Sequence, residues 1–238
     1  MNVFIIDDER LARQELREML ANYKQVNILA EFDNSEEAIE AINSQKPDLI
    51  FLDIHMPGKD GFALLQSLNY VPNVIFVTAY DEYALKAFEV SALDYLVKPV
   101  EQARLKAAIE KIELLLEANP SASNNDLLDE NDQVFVKDGE KCWFVQLKDI
   151  RLFESEGNYV RVYFESYKPL ILKSLNNLSE RLNEKNFFRA SRKHIVNLKW
   201  IDKIENWFNG GLMVTLKDGT KVEVSRRQSA KFKEMLSL

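Results

Sequence analysis

Residues 49–61 read Leu-Ile-Phe-Leu-Asp-Ile-His-Met-Pro-Gly-Lys-Asp-Gly. The run Leu49–Ile54 is apolar at both parities, and its single charge, Asp53, falls at its end. A strand with no polar face cannot lie against water, so it belongs inside a sheet covered on both sides, as parallel strands are. Runs of the same kind stand on either side, at Val3–Ile6, Ile28–Phe32, Val74–Thr78 and Asp94–Val97. Between them the spacing turns helical: Leu11, Glu15 and Met19 with Leu16 and Leu20, then Ala38, Ile39 and Ile42, then Ala84, Ala87 and Phe88. Ser35, followed by Glu36 and Glu37, predicts a helix start capped by its hydroxyl. A last helix is predicted over Glu101–Leu116, with Leu105, Ile109, Ile112 and Leu116 on one stripe. Strands alternating with helices, joined by right-handed crossovers, give a doubly wound α/β domain around a parallel five-stranded sheet.

That domain accounts for residues 1–118 of a 238-residue chain, which has room for a second. The net charge of -7 is unevenly spread. Residues 1–118 carry 11 Lys/Arg against 21 Asp/Glu, and residues 133–238 carry 20 against 13. An acidic module joined to a basic one suggests that one half attracts cations and the other a polyanion, although the same charges would also keep two domains soluble. Residues 119–132, rich in Asn, Ser and Asp, read as a linker. The lone Cys142 excludes an internal disulfide. The amino terminus MNVFIIDDER is neither a secretory leader nor a membrane span, so a cytoplasmic protein with no membrane partner is expected.

After Asp132 the period changes to two. Val134–Val136 and Cys142–Val145 around Asp138-Gly139 predict a hairpin that opens a β-rich second domain. Further strands are predicted at Ile150–Glu154, Tyr159–Phe164, Leu170–Leu172, Ile204–Phe208, Leu212–Leu216 and Lys221–Val224. Helices are predicted over Ser174–Asn183 and Arg226–Leu236.

In an open parallel sheet, ligands sit beyond the carboxyl ends of the strands. Asp7 and Asp8, Asp53, Thr78 and Lys98 all fall there. Three carboxylates so placed repel one another unless a hard cation such as Mg²⁺ joins them. With Lys98 as a second cation and Thr78 as a hydroxyl donor, the set suits phosphoryl transfer to a carboxylate. Asp53, on the central strand, is the expected nucleophile, Asp8 the direct metal ligand, and Asp7 the residue that holds it or a metal-bound water.

The stretches VFIIDDE (Val3–Glu9), FLDIHMPGKDG (Phe51–Gly61), FVTAY (Phe76–Tyr80) and ALDYLVKPV (Ala92–Val100) closely resemble the receiver domain of two-component response regulators, which is flavodoxin-like. The resemblance implies phosphorylation of Asp53 by a partner histidine kinase, with Mg²⁺ held by Asp8, Asp53 and the carbonyl of His55, and by Asp7 partly through water. It also implies that Thr78 and Tyr95 form a switch pair and that Lys98–Pro99 is cis. The His55 side chain reads either as a modulator of acyl-phosphate lifetime or as a solvated residue.

Basic and polar residues of the second half cluster at Ser191, Arg192, Lys193 and His194, at Ser225–Gln228, and around Glu156–Arg161. Such groups reach guanine edges and phosphates, but they also serve as solvated surface. ESEGNYVRVYF (Glu154–Phe164), LKSLNNLSERL (Leu172–Leu182), FFRASRKHIVNLKWI (Phe187–Ile201) and DGTKVEVSRR (Asp218–Arg227) resemble the LytTR-type DNA-binding domain. By motif position, the resemblance implies DNA contacts from Asn158, Tyr159, Ser191, Arg192 and Arg226, with Lys193 and Arg227 near phosphates, on paired direct repeats of double-stranded DNA. Ser191 stands where that family often has His, and His194 where it often has an aromatic, so a relative's DNA sequence cannot be borrowed.

The expectation is a response regulator of the LytR/AlgR type, not a dedicated enzyme. Phosphorylation would pair two copies into a homodimer through an apolar face at Asp81–Ser91. The alternatives are a Mg²⁺-dependent hydrolase with an Asp nucleophile, or a phosphorylation-controlled module that binds RNA or protein.

Overall fold

The computed structural model describes residues 1–79, 94–118, 127–139 and 141–235. The expected helix at Ala84–Phe88 and the apolar face at Asp81–Ser91 lie outside these residues. The chain forms two compact units, Met1–Ser123 with Gln133–Phe144, and Asn124–Asp132 with Val145–Leu238.

In the first unit, β1 (Asn2–Ile6), β2 (Asn27–Phe32), β3 (Leu49–Leu52), β4 (Asn73–Thr78) and β5 (Asp94–Val97) form one parallel sheet in the order β2-β1-β3-β4-β5. Successive side chains of a strand point to opposite faces. Val3, Ile5, Leu49 and Phe51 therefore pack under α1 (Arg10–Leu20) and α4 (Gln102–Ala118) through Leu16, Leu20, Leu105, Ile109 and Ile112. Phe4, Ile6, Ile50 and Leu52 face α2 (Ser35–Gln45) and α3 (Gly61–Ser67). Both parities are buried, which is why the runs show no alternation. The cap of α2 differs from the expectation. Asn34 accepts from the Glu37 amide at 3.0 Å, whereas Ser35 is buried and donates to the Lys59 carbonyl at 2.6 Å. Ser35 is thus the first helical residue, with its hydroxyl fastening α2 to the loop before α3.

The predicted hairpin forms as β6 (Gln133–Asp138) and β7 (Lys141–Gln146), but residues 133–144 pack within the first unit. Phe135 stacks on Phe62 at 6.2 Å between centroids, Phe144 meets Phe76 at 6.3 Å, and Gln133 donates to the Pro72 carbonyl at 2.9 Å.

In the second unit, β8 (Ile150–Glu156), β9 (Tyr159–Phe164), β10 (Leu170–Ile171), β11 (Phe187–Arg189) and β12 (His194–Asn197) form an antiparallel sheet in the order β10-β9-β8-β12-β11. A three-stranded sheet joins β13 (Ile201–Asn206), β14 (Leu212–Leu216) and β15 (Lys221–Val224). Leu152, Phe188 and Val196 of the first sheet pack with Leu212, Val214, Leu216, Val222 and Val224 of the second, closed by Phe232 of α6 (Arg226–Met235). α5 (Leu175–Arg181) completes the unit. Strands β11 and β12 stand where the sequence suggested only a basic segment. The end of the expected linker is also fixed. Leu128 is buried, donates to the Arg181 carbonyl at 2.6 Å and accepts from the Asn183 amide at 3.0 Å.

Candidate functional site

The carboxyl ends of the parallel strands build the first site. Asp7 and Asp53 immediately follow β1 and β3, and their backbones are pinned by Asp7 N–H to Phe32 carbonyl (3.0 Å) and Asp53 N–H to Ile6 carbonyl (2.8 Å). Thr78 ends β4, and its carbonyl accepts from the Lys98 amide at 2.8 Å, just past β5. Carboxylate oxygens of Asp7, Asp8 and Asp53 lie within 4.8 Å of one another. Lys98 Nζ reaches Asp7 Oδ2 at 2.8 Å, Asp53 Oδ2 at 2.9 Å and Glu9 Oε2 at 3.1 Å. Asp53 Oδ1 accepts from the His55 amide at 3.1 Å, and Asp7 Oδ1 from the Glu9 amide at 2.9 Å. Arg13, which the sequence reading overlooked, donates to the Asp7 and Asp8 carbonyls at 2.5 and 3.2 Å and so holds the acidic turn. The Lys98–Pro99 bond is cis.

Burial raises the pKa of Asp7, and the hydrogen bonds from Lys98 and the Glu9 amide offset this only in part. Burial pulls Lys98 down, but its hydrogen bonds to Asp7 and Asp53 outweigh that and leave its pKa raised, so it stays charged. One ammonium does not neutralise the neighbouring carboxylates. The donors are all oxygens and the excess charge is negative, so the cluster fits a hard divalent cation. Thr78 is fully buried, and Tyr95 is half-buried with the Arg104 guanidinium 5.8 Å from its ring centre.

The second site forms at one end of the β-rich unit. The β8–β9 turn carries exposed Asn158 and Tyr159 after Gly157, whose φ of +61° is a conformation that side-chain-bearing residues resist. The β11–β12 turn carries Ser191, Arg192 and Lys193. Ser155 N–H donates to the Lys193 carbonyl at 2.8 Å, and Ser225 N–H to the Ala190 carbonyl at 3.0 Å. These bonds bring the two turns and the start of α6, with exposed Arg226 and Arg227, to the same turn 190–193. Ser191 is half-buried: its Oγ accepts from the Lys193 amide at 3.1 Å and lies 3.3 Å from His194 Nδ1. His194 Nε2 is 3.5 Å from Glu154, which accepts from the Tyr163 hydroxyl at 2.5 Å. Burial works against ionisation of Glu154, yet the Tyr163 and His194 contacts prevail and its pKa is lowered; the Tyr163 phenol is pushed up to about 12 by burial and Glu154. Glu154 and Tyr163 both fall within the stretch Glu154–Phe164, where the sequence reading gives them no role, and their link to His194 is visible only once β12 is seen to lie beside β8.

An acidic pocket at the ends of a parallel sheet, followed by a β-rich basic unit, defines a class. Residues 3–110 match the response regulator receiver domain, and residues 140–237 match the LytTR DNA-binding domain. The chain belongs to the two-component response regulators that join these two domains, the LytR/AlgR type. It is 36% identical to the sensory transduction protein LytT of Enterococcus faecalis and 34% identical to that of Bacillus subtilis. It is 31% identical to the transcriptional regulatory protein YpdB of Escherichia coli. Each comparison spans all of both chains. Among the described residues, no helix is long and apolar enough to cross a membrane.

Proposed function

We propose that Asp53 is the phosphoacceptor of a Mg²⁺-dependent switch that a partner histidine kinase sets and that controls binding to double-stranded DNA. The observation that carries this reading is the position of Lys98 Nζ, at hydrogen-bond distance from both Asp7 and Asp53 inside the three-carboxylate cluster. An Asp53 oxygen attacks phosphorus, the bond from phosphorus to the donor nitrogen breaks, and the donor imidazole leaves with a proton. Lys98 stays protonated and faces the charge that gathers on the phosphoryl oxygens, while the His55 amide orients the Asp53 carboxylate. Asp8, Asp53 and the carbonyl of His55 would hold Mg²⁺, with Asp7 assisting through water. The ion would neutralise phosphoryl oxygens as the bond forms.

In this reading Thr78 turns toward the new phosphoryl group and Tyr95 follows into the space it leaves. The chain receives and slowly loses its own phosphoryl group, with no separate substrate. Asn158, Tyr159, Ser191, Arg192 and Arg226 face base edges, Lys193 and Arg227 face phosphates, and two copies pair on direct repeats. The test uses the full chain and a small phosphodonor. Phosphate-affinity electrophoresis should show Mg²⁺-dependent labelling that Asp53→Asn abolishes, together with the gain in DNA affinity. Undiminished labelling of Asp53→Asn would overturn the assignment.

A further inference from the structure

Ser191 opens the β11–β12 turn with its backbone and its hydroxyl oxygen already engaged. Its amide donates to the His194 carbonyl at 3.3 Å, its carbonyl accepts from Arg189 Nε at 2.7 Å, and its Oγ accepts from the Lys193 amide at 3.1 Å. The oxygen is therefore fixed in place, and what it offers a partner depends on where its hydrogen points. A hydroxyl has one hydrogen to donate and two lone pairs, of which the Lys193 amide occupies one.

The direction of that hydrogen is decided by a chain of groups that runs back into the sheet. Glu154, opposite His194 across the β8–β12 ladder, accepts from the Tyr163 hydroxyl at 2.5 Å. Burial disfavours its ionisation, but the Tyr163 and His194 contacts outweigh burial, so Glu154 is a carboxylate. A carboxylate only accepts, and its Oε1 lies 3.5 Å from His194 Nε2, so Nε2 carries the imidazole hydrogen. A neutral imidazole has one N–H, which leaves Nδ1 as a bare acceptor 3.3 Å from Ser191 Oγ. The Ser191 hydrogen is thereby committed to Nδ1, and the position left on Oγ is a lone pair.

Along the major groove, adenine N6 and cytosine N4 carry donor hydrogens, whereas guanine O6 and N7 and thymine O4 accept. We infer that His194 sets the polarity of the Ser191 hydroxyl, so that Ser191 takes the amino group of adenine or cytosine and rejects guanine and thymine at the base it meets. His194 acts here as a positioning residue, through Ser191. The inference rests on the reading above that Ser191 faces a base edge; it adds which edge group is taken and what decides the choice.

The experiment selects from a pool of DNA duplexes with a randomised central stretch. It uses the full chain with the small phosphodonor at pH 8, above the range in which imidazoles ordinarily take a second proton. Affinities are then measured for each base at each selected position, for wild type, Ser191→Ala, His194→Phe and Glu154→Gln, with thermal melts to confirm folding. One position should favour adenine or cytosine over guanine or thymine by about fivefold or more, since two opposed acceptors leave both unpaired. Ser191→Ala should abolish that preference, and replacing the amino group of the favoured base by hydrogen should weaken wild type but not Ser191→Ala. In His194→Phe the hydroxyl is free to donate as well as accept, so the preference at that one position should collapse while the others persist. Glu154→Gln, whose amide can donate to Nε2 and send the ring hydrogen to Nδ1, should move it the same way, and it carries the test if His194→Phe does not fold. A Ser191-dependent position that favours guanine or thymine would overturn the inference, as would the absence of any Ser191-dependent position. So would an equal loss on every duplex in the folded His194 or Glu154 variant with the preference intact, which would mark a structural role only. If wild type enriched no duplex at all, the DNA-binding reading itself would fall.

Discussion

Gly61→Ala tests whether the phosphoacceptor is held by steric contact as well as by hydrogen bonds. Gly61 opens α3, and its amide donates to the Ile54 carbonyl at 2.9 Å. A Cβ added there would stand 2.5 Å from the Asp53 carbonyl oxygen and 3.2 Å from Ile54 Cα, both backbone atoms. Restoring an ordinary contact of 3.4 Å requires the two segments to part by about 0.9 Å. Without the clash, Ala would be favoured at a helical position by up to about 1 kcal/mol, through propensity and a less disordered unfolded chain. Overpacking a close-packed site costs about 1–3 kcal/mol, so a net loss of stability is expected. The displaced backbone carries the Asp53 carboxylate with it. A misplacement of about 1 Å can cost up to roughly 100-fold in a transfer reaction, so labelling should slow by at least about tenfold. Gly58 provides the contrast. Its φ is +80° and no heavy atom lies within 4 Å of its added Cβ, so Gly58→Ala should cost only the left-handed backbone penalty of about 1–2 kcal/mol. Denaturant titration of the full chain and time courses with a small phosphodonor and Mg²⁺ measure both quantities. A Gly61→Ala protein as stable as wild type, and labelled as fast, would refute the reasoning.

In the basic unit, Arg192→Ala and Arg226→Ala should each cost about 1–3 kcal/mol on a cognate duplex and less on random DNA if their guanidiniums read bases. Equal losses in a gel-shift titration on both duplexes would assign them to the backbone instead. Glu154 bears on pH dependence. Its folded pKa lies below the ordinary value of 4.5, so its contribution to stability is present above that pH and is lost as pH falls through the folded pKa. Denaturant midpoints measured from pH 6 to pH 3 should therefore fall less steeply in Glu154→Gln than in wild type, and identical profiles would count against the Tyr163–Glu154–His194 chain.

What could be read from the residues follows from how local the deciding physics is. The parallel strands are legible because burial on both faces leaves continuous apolar runs, and the strand-end rule then gathers Asp7, Asp8, Asp53, Thr78 and Lys98 into one crevice. The cap of α2 is misread by one residue because Asn34 and Ser35 are both good caps; what separates them is the Lys59 carbonyl, 24 residues away, which claims the Ser35 hydroxyl. The hairpin 133–144 announces itself through Asp138-Gly139, yet turn chemistry carries no information about which core its face will cover. Phe135 and Phe144 join Phe62 and Phe76, a choice made by shape and visible only in three dimensions.

The segment 187–197 is the most instructive miss. Its strands have three and four residues, and the charged turn between them dominates its composition. Yet Phe187, Phe188, Ile195 and Val196 are buried, and β12 lies between β8 and β11 inside the sheet. The charge and the apolar residues have separate roles: the strands anchor in the core so that the turn can be held rigid at the surface. Arg189 shows the cost and the use of this arrangement. A half-buried guanidinium has its pKa lowered by desolvation, and it is retained where it clasps the carbonyls of Ser191 and Arg192. A turn fixed before it meets its ligand loses less conformational freedom on binding, which saves about 0.5–1.5 kcal/mol for each flexible side chain already immobilised. The basic residues most visible in the sequence, Arg192 and Lys193, therefore depend on Arg189, whose position at the end of a short strand gives no hint of that role.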